Sequence, residues 1–246
     1  MKSTIDLDAR VREAIRHFWL TRAQQAQRQG EKTGRRDSGL RTAVTGGKQL
    51  DGFVELCRDI LLDAGLDNAE VGCRNQLHLP GYFRPSKEWD LLAVADGQLV
   101  AVVEFKAHIG PSFSNNFNNR TEEALGSAVD VWAAYREGAF KPSARPWLGY
   151  VMVLEDCPKA RSPVKVRGML FNPFPEFEGT SYADRYDILL TKMIRERLYD
   201  AASFIMTPRE AEADGAHSYP NVELSFRNFA TSLHAHASSF VELRRS

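Results

Sequence analysis

The sequence predicts an α/β protein in which a mixed central sheet lies between two layers of helices. Residues 99–103 and 148–154 are rich in apolar residues without alternation, which is typical of central strands covered on both faces. Asp96-Gly97 favours a hairpin turn between strands at 88–95 and 98–106. Helical spacing of apolar residues predicts the surrounding layers, with helices at about 8–29, 51–65, 120–137, 181–205 and 225–243.

The chain of 246 residues is long enough to bury a substantial core and fits one large domain or two small ones. The order of the predicted elements favours the first. We therefore expect a single domain over 1–246, in which 51–155 form the core. Residues 1–50 supply a helix and a basic glycine-rich loop, and 156–246 supply an irregular segment followed by helices. Pro80-Gly81 is predicted to interrupt a further strand over 77–83.

The charge distribution is more informative than the net charge. The chain carries 32 Lys and Arg against 32 Asp and Glu, so the total does not indicate a polyanionic partner. Residues 1–50 contain eleven Lys and Arg against five Asp and Glu, a net charge of +6. Arg35, Arg36 and Arg41 lie among glycines there, a pattern that favours contact with phosphate. A solvated helix followed by an ordinary linker explains the same pattern.

Cysteine usage and hydropathy restrict the setting of the protein. The three cysteines are scattered and form no C-x-x-C pair, which argues against a zinc knuckle and a disulfide framework. A reduced, cytoplasmic setting is the simplest interpretation. The first residues lack an apolar signal core, and no apolar run approaches the roughly 20 residues that span a bilayer. We therefore expect no membrane partner.

Three charged residues stand at the ends of the predicted hairpin strands. Glu104 and Lys106 are two residues apart on one strand, so their side chains share a face. A strict two-residue turn at Asp96-Gly97 would direct Asp90 to the other face, whereas a three-residue turn or a comparable irregularity aligns it with Glu104. A functional site built from these residues therefore requires an irregular hairpin.

The chemistry of this group favours a hard divalent cation. Asp90 and Glu104, with the Phe105 carbonyl, would hold Mg²⁺, which binds few carboxylates and shares phosphate oxygens. Lys106 would hold the nucleophilic water or the scissile phosphate, and burial would shift it toward neutrality. The sequence thus predicts metal-assisted phosphodiester hydrolysis, with Asp90, Glu104 and Lys106 as the catalytic residues.

Other acidic residues and a structural explanation compete with this assignment. Glu55, on the helix before the hairpin, is a further catalytic candidate, and Glu88 is a weaker rival of Asp90. In the structural explanation, Glu104 and Lys106 form an exposed pair at a strand end and Asp90 only begins a strand.

A loop is predicted over residues 107–118, and an Asn-rich segment follows the site at residues 110–120. Asn can recognise adenine and Arg can recognise guanine in the major groove. Asn119, three residues before Glu122, is predicted to form a helix capping box. The other polar residues of the segment are predicted to contact DNA: Ser112, Ser114, Asn115, Asn116, Asn118 and Arg120.

Glu104-Phe105-Lys106, followed by the Asn-rich stretch that leads into Thr121-Glu122-Glu123-Ala124, resembles the XhoI family of Type II restriction endonucleases over the whole chain. The resemblance implies a restriction-endonuclease-like core with added N- and C-terminal helices. It also implies a homodimer that cuts double-stranded DNA at CTCGAG after the first C, and a cognate methyltransferase. Trp89 departs from the superfamily pattern, in which Pro often precedes the Asp.

Two other functions fit part of the same pattern. A repair or junction-resolving nuclease of the same superfamily would use the same three charged residues and would cut by DNA structure. A non-catalytic DNA-binding module would use them as a structural ion pair. Cleavage of plasmid DNA into discrete bands separates the restriction enzyme from both.

Overall fold

The computed structural model describes residues 5–33, 48–72, 77–166 and 170–246. Its strands are β1 (Val71–Gly72), β2 (His78–Leu79), β3 (Lys87–Glu88), β4 (Leu91–Ala95), β5 (Gln98–His108), β6 (Trp147–Glu155) and β7 (Ala201–Thr207). The central sheet has the order β1-β4-β5-β6-β7, and β2 pairs with β3 in a separate small sheet. β4 is antiparallel to β5, whereas β5, β6 and β7 run parallel, so the predicted mixed sheet is confirmed.

Helices cover both faces of this sheet. They are α1 (Leu7–Thr33), α2 (Asp51–Asp63), α3 (Phe113–Arg136), α4 (Pro158–Arg161), α5 (Tyr182–Arg195) and α6 (Phe226–Arg245), with short 3-10 turns between several elements. α1, α2 and α6 share one apolar core, and α3 and α5 share the other. This arrangement confirms the three-layer α/β/α architecture. No helix within the described ranges combines the length and apolarity needed to cross a bilayer.

The two cores meet along β5, whose side chains alternate between them. Ala101, Val103 and Phe105 belong to the core shared with α1, α2 and α6. Val102 belongs to the core shared with α3 and α5. Because side chains two apart on a strand share a face, Glu104 continues the face of Val102. The charged residues of β5 therefore lie between the sheet and α3.

The β4–β5 hairpin contains the irregularity that the site requires. Its turn has two residues, Asp96 and Gly97, both with positive φ, and it pairs Ala95 with Gln98. The register then shifts by one residue, so that Ala93 lies opposite Ala101 and Val100 forms a β-bulge. The predicted irregularity is thus present at Val100, whereas the three-residue turn is wrong.

The C-terminal half differs from its prediction in one element. The helix predicted over 181–205 ends at Arg195, and Ala201–Thr207 form β7. Arg197 follows the helix with a left-handed φ of 56°, a conformation that ends helices. All seven residues of β7 are buried, and the strand pairs with β6. Pairing and burial outweigh the helical propensity of Ala201 and Ala202.

The Asn-rich segment is helical rather than a loop. α3 begins at Phe113, so its Asn residues occupy the first two turns. The prediction that Asn119 caps the helix is wrong, because Ser112 occupies the N-cap position and makes no side-chain capping bond. Phe113 and Phe117 stabilise these turns by packing on α5, with ring centroids 5.5 Å from Tyr182 and 5.0 Å from Tyr186, respectively.

Candidate active site

The three charged residues predicted to be catalytic come together at one end of the hairpin. Continuing the β4–β5 register beyond Leu91 and Val103 brings Asp90 opposite Glu104. Asp90 Oδ2 accepts a hydrogen bond of 2.7 Å from the Phe105 amide. Glu104, which is only 4 % exposed, forms an ion pair with Lys106 through Oε1. The Val100 bulge therefore unites two carboxylates and an ammonium group on one face of the sheet.

Asp90 is held in an environment that disfavours its charge. Burial is the main cause that raises its pKa to about 6, and the negative charge of Glu104 adds to the effect. The positive charges of Lys106 and Lys87 and the Phe105 amide act in the opposite direction. Two neighbouring carboxylates of this kind favour the binding of a cation in addition to the two Lys side chains, because it would offset their repulsion.

Lys106 keeps its proton more firmly than the sequence predicted. Burial by itself lowers its pKa, but the charges of Glu104 and Asp90 outweigh burial and raise the pKa above the ordinary value. The expected shift toward neutrality is therefore opposite to the direction in this structure. Lys106 is suited to act as a cation that binds an anionic oxygen.

Lys87 is a member of this group that sequence analysis missed. Its Nζ lies 2.6 Å from Glu104 Oε2 and 4.0 Å from the centroid of the Trp89 ring. Glu104 thus lies between two ammonium groups. The sequence carried a weak signal, a Lys directly before Glu88-Trp89-Asp90. Strand parity could not assign the direction of Lys87, because β3 pairs with β2 rather than with the central sheet.

An open cavity of about 650 Å³ lies above these residues, between the sheet and α3. Lys87, Glu104 and Lys106 line it on the sheet side. The remaining lining comes from the segment before β3 and from α3: Phe83, Arg84, Arg120, Glu122, Glu123, Gly126, Ser127, Val129 and Asp130.

The predicted DNA-contacting residues of α3 divide between two surfaces. Arg120 lines the cavity and pairs with Glu123 at 2.7 Å. Asn116 lies one turn before Arg120 and shares its helix face. Asn115 and Asn118 are exposed on the outer side of the helix. Ser112 and Ser114 are also exposed, at and just after the start of the helix.

Several predicted residues are not brought to the cavity. Glu55 lies on α2, which packs in the helical layer on the other face of the sheet, and its carboxylate is 3.6 Å from Arg58. Glu88 is exposed on β3, where its backbone pairs with His78. The predicted phosphate-contacting residues of the basic loop, Arg35, Arg36 and Arg41, lie outside the described residues.

The donor set at this site fits a hard divalent cation. Asp90, Glu104 and the Phe105 carbonyl would offer only oxygen atoms, the ligands that Mg²⁺ prefers. Burial, with the negative charge of Glu104 adding to it, raises the pKa of Asp90, and a bound cation would favour the charged form instead. An ion would share or replace the contacts of Glu104 with Lys87 and Lys106. Within the described ranges, three or more His, Cys, Asp and Glu side chains do not converge on one metal position.

Comparison with known proteins identifies the family. The family model described as restriction endonuclease XhoI matches residues 28–219. The Type II restriction enzyme BstVI of Geobacillus stearothermophilus is 46 % identical over 209 residues, which are 83 % of this chain and 93 % of that enzyme. The Type II restriction enzyme XhoI of Xanthomonas vasicola is 41 % identical over 191 residues, 77 % of this chain and 76 % of that enzyme.

A third relative agrees with these two. The Type II restriction enzyme AbrI of Azospirillum brasilense is 49 % identical over 156 residues, which are 63 % of this chain and 69 % of that enzyme. No solved structure matches the chain. The family match covers most of the chain, and the sheet and helical layers agree with an α/β endonuclease core. The chain therefore belongs to the XhoI family of restriction endonucleases, which bind DNA and cut it at specific sites.

Proposed function

We propose that this protein is a Mg²⁺-dependent Type II restriction endonuclease that cuts double-stranded DNA at C^TCGAG and leaves 5′-phosphate ends. The observation that carries the chemistry is the convergence of Asp90, Glu104 and Lys106 on one face of the sheet, where Glu104 and Lys106 line a cavity. The recognition sequence rests on the resemblance to the XhoI family. Cleavage after the first C leaves a 5′ TCGA overhang.

In this proposal the carboxylates and the ammonium groups have separate tasks. Asp90 and Glu104, with the Phe105 carbonyl, would hold Mg²⁺. When bound, Mg²⁺ would supply Lewis-acid stabilisation of the charge that develops on the scissile phosphate. Lys106, protonated beside Glu104, binds a phosphate oxygen or orients the attacking water. Lys87 keeps the buried charge of Glu104 compensated before DNA arrives.

The first half of α3 is proposed to meet the DNA beside this site. Arg120 is already on the cavity wall, and Asn116 lies one turn earlier on the same face, so both are candidates for contacts close to the scissile phosphate. The exposed polar residues at and after the start of α3 would follow the DNA away from the cut: Ser112, Ser114, Asn115 and Asn118. Arg35, Arg36 and Arg41 would add contacts to phosphate that do not depend on sequence.

Palindromic cleavage implies a two-fold assembly. The part of the chain that the structure describes carries one such site, so cutting both strands of a palindrome requires two copies related by symmetry. We therefore propose a homodimer of single-domain chains acting in the cytoplasm, with a methyltransferase that protects the same sequence in the host. Sedimentation with and without a CTCGAG duplex would test the dimer, and a monomer in both conditions would contradict it.

The central experiment is a plasmid digest with Mg²⁺, followed by sequencing of the product ends. One plasmid contains a single CTCGAG, and its control differs by one base pair in that site. We expect discrete linear product from the first plasmid only, with ends at C^TCGAG, and no product in EDTA. Discrete ends at another sequence would reject CTCGAG as the recognition sequence but would still support a restriction enzyme.

The same digest decides between the rival functions. A repair or junction-resolving nuclease would leave both plasmids intact and would cut branched DNA wherever the branch is placed. A non-catalytic module would bind duplex DNA and cut neither substrate. The Glu104→Ala variant provides the background control, because any cleavage that it retains belongs to a contaminating nuclease.

A further inference from the structure

The loop that joins β2 to β3, residues 80–86, exposes two neighbouring aromatic side chains. Tyr82 is 58 % exposed and Phe83 is 71 % exposed. Their rings pack edge to face, with centroids 5.3 Å apart and an interplanar angle of 89°. Large aromatic rings left in water carry a hydrophobic cost that contact with a partner removes. We call these two residues the aromatic pair.

The backbone that carries the aromatic pair is held firmly. The buried carboxylate of Asp130, on α3, accepts hydrogen bonds from the amides of Tyr82 at 2.7 Å and Phe83 at 2.8 Å. Arg84 Nε donates to the same carboxylate at 2.6 Å. A Cβ atom on Gly81 would lie 2.3 Å from Asp130 Oδ2, so only glycine allows this close approach. The exposed rings therefore stand on a fixed loop.

This loop borders the proposed catalytic site. Phe83 and Arg84 line the same cavity as Glu104 and Lys106. Lys87, which pairs with Glu104 at 2.6 Å, follows three residues after Arg84 in the chain. A duplex bound with its scissile phosphate above Glu104 would therefore pass Phe83, against which the Tyr82 ring packs.

We propose that Tyr82 and Phe83 pack against the base stack of the bound duplex next to the scissile phosphate and distort it locally. This inference rests on the proposed function, since it requires DNA in the cavity. Apolar and aromatic side chains that wedge between or stack on bases are a general means of bending DNA, and they tolerate any base because every base has a π face. Asp130 is a positioning residue, because its carboxylate holds the loop through the amides of Tyr82 and Phe83.

The test compares DNA binding and base stacking in matched variants. Duplexes carry CTCGAG with 2-aminopurine at single positions flanking the cut, and affinity is measured by anisotropy without Mg²⁺. The wild type should raise 2-aminopurine fluorescence at a flanking position, and Tyr82→Ala/Phe83→Ala should lose that rise and bind roughly tenfold more weakly or worse. Phe83→Trp should retain both signals.

Leu243→Ala is the control for an exposed apolar side chain elsewhere. Leu243 is 73 % exposed on α6, which packs on the other face of the sheet, so its removal should change neither signal. Thermal unfolding reports whether each variant is folded, and exposed substitutions should alter it little. If the double variant unfolds, Tyr82→Ala alone carries the same test.

The following outcomes would overturn the inference. Wild-type affinity and wild-type fluorescence in the folded double variant would leave the aromatic pair without a DNA contact. A shifted monomer–dimer equilibrium with unchanged DNA affinity would assign the pair to an interface between copies of this chain. If the wild-type chain cuts CTCGAG but the double variant shows unchanged affinity and fluorescence, only the inference fails. If the wild-type chain neither binds nor cuts DNA, the proposed function fails with it.

Discussion

The two faces of the central sheet differ in what they bury. The face shared with α1, α2 and α6 is covered by apolar side chains such as Phe53, Leu61 and Phe105. The opposite face, toward α3 and α5, buries ionisable side chains, among them Glu104, His108 and Asp130. A single strand, β5, supplies residues to both faces at alternate positions.

Because of this difference, the residues of β5 on one face serve mainly stability, whereas those on the other face are proposed to serve catalysis. Buried charge is costly unless it is paired, so the polar face keeps Glu104 and Asp130 in ion pairs and hydrogen bonds. The apolar face stabilises the fold mainly by burial, and its buried carboxylate, Glu155 at the end of β6, is compensated by Arg209. Substitutions on the two faces should therefore have different consequences, which the following variants test from the largest expected effect to the smallest.

Removal of the charged groups on the polar face should abolish cleavage. Glu104→Ala or Lys106→Ala should lower the rate roughly a thousandfold or more, because charge stabilisation at the phosphate is lost. Val103→Ala, one residue away but facing the apolar core, is the matched control and should reduce stability without changing the rate of the folded enzyme. Single-turnover cleavage of a CTCGAG duplex measures the rates, and near wild-type cutting by folded Glu104→Ala would remove Glu104 from the site.

A cavity in the apolar face should have the reverse effect. Leu61 is fully buried on α2, so Leu61→Ala should lower the free energy of unfolding by about 2–4 kcal/mol. Because α2 packs away from the cavity, the cleavage rate per folded molecule should stay unchanged. Urea unfolding and active-site titration measure the two quantities, and a large loss of rate in the folded fraction would show that the faces are coupled.

Asn residues on different sides of α3 should differ in their effect on recognition. Asn116 shares a helix face with Arg120, whereas Asn118 points to the outer side. Asn116→Ala should lower discrimination between CTCGAG and single-base variants by about 1–3 kcal/mol, the value of one two-bond base contact. Asn118→Ala should lower it less. Relative cleavage rates on both duplexes measure this, and equal effects would remove the distinction between the two surfaces.

The polar face should also make stability depend on pH. Burial is the main cause that lowers the pKa of His108 to about 4, with Arg120 adding to the effect and Glu155 and the Ser112 backbone opposing it. The His108 ring bonds through Nδ1 to the hydroxyl of Tyr186 at 2.7 Å. The unfolded chain, with a His pKa of about 6.5, binds the proton first as the pH falls.

His108 should therefore stabilise the fold fully above about pH 6.5 and progressively less as the pH falls toward 4. Between pH 7 and pH 5 the loss should be roughly 1–2 kcal/mol. His108→Gln should make urea midpoints at these two pH values more similar. If the wild type and the variant lose stability equally, another group is responsible.

Sequence patterns predicted the polar face in part. The shared face of Glu104 and Lys106 on β5 and the turn at Asp96-Gly97 could be predicted, because strand parity and turn chemistry are local. The contact of Lys87 with Glu104 could not be predicted, because it depends on the orientation of the small separate β2–β3 sheet, which no local rule fixes. The need for an irregular hairpin was predictable, but its position at Val100 was not.

Tertiary contacts explain the two misassigned elements. Ser and Asn are poor helix formers, so the start of α3 was predicted as a loop, yet Phe113 and Phe117 secure those turns against α5. Ala201 and Ala202 favour a helix, yet they lie in β7 because they pair with β6 in the sheet. In both places long-range packing decides between conformations that local propensity ranks the other way.

The bulge at Val100 has a consequence for how this family can change its length. Removing the extra residue, or adding one more between Asp90 and Glu104, would turn Asp90 toward the apolar core and separate the two carboxylates. Insertions and deletions tolerated in this hairpin should therefore come in steps of two, while the turn should keep residues that tolerate a positive φ. Aligned relatives that retain cleavage should differ here by even numbers of residues, or should carry a second bulge that restores the phase.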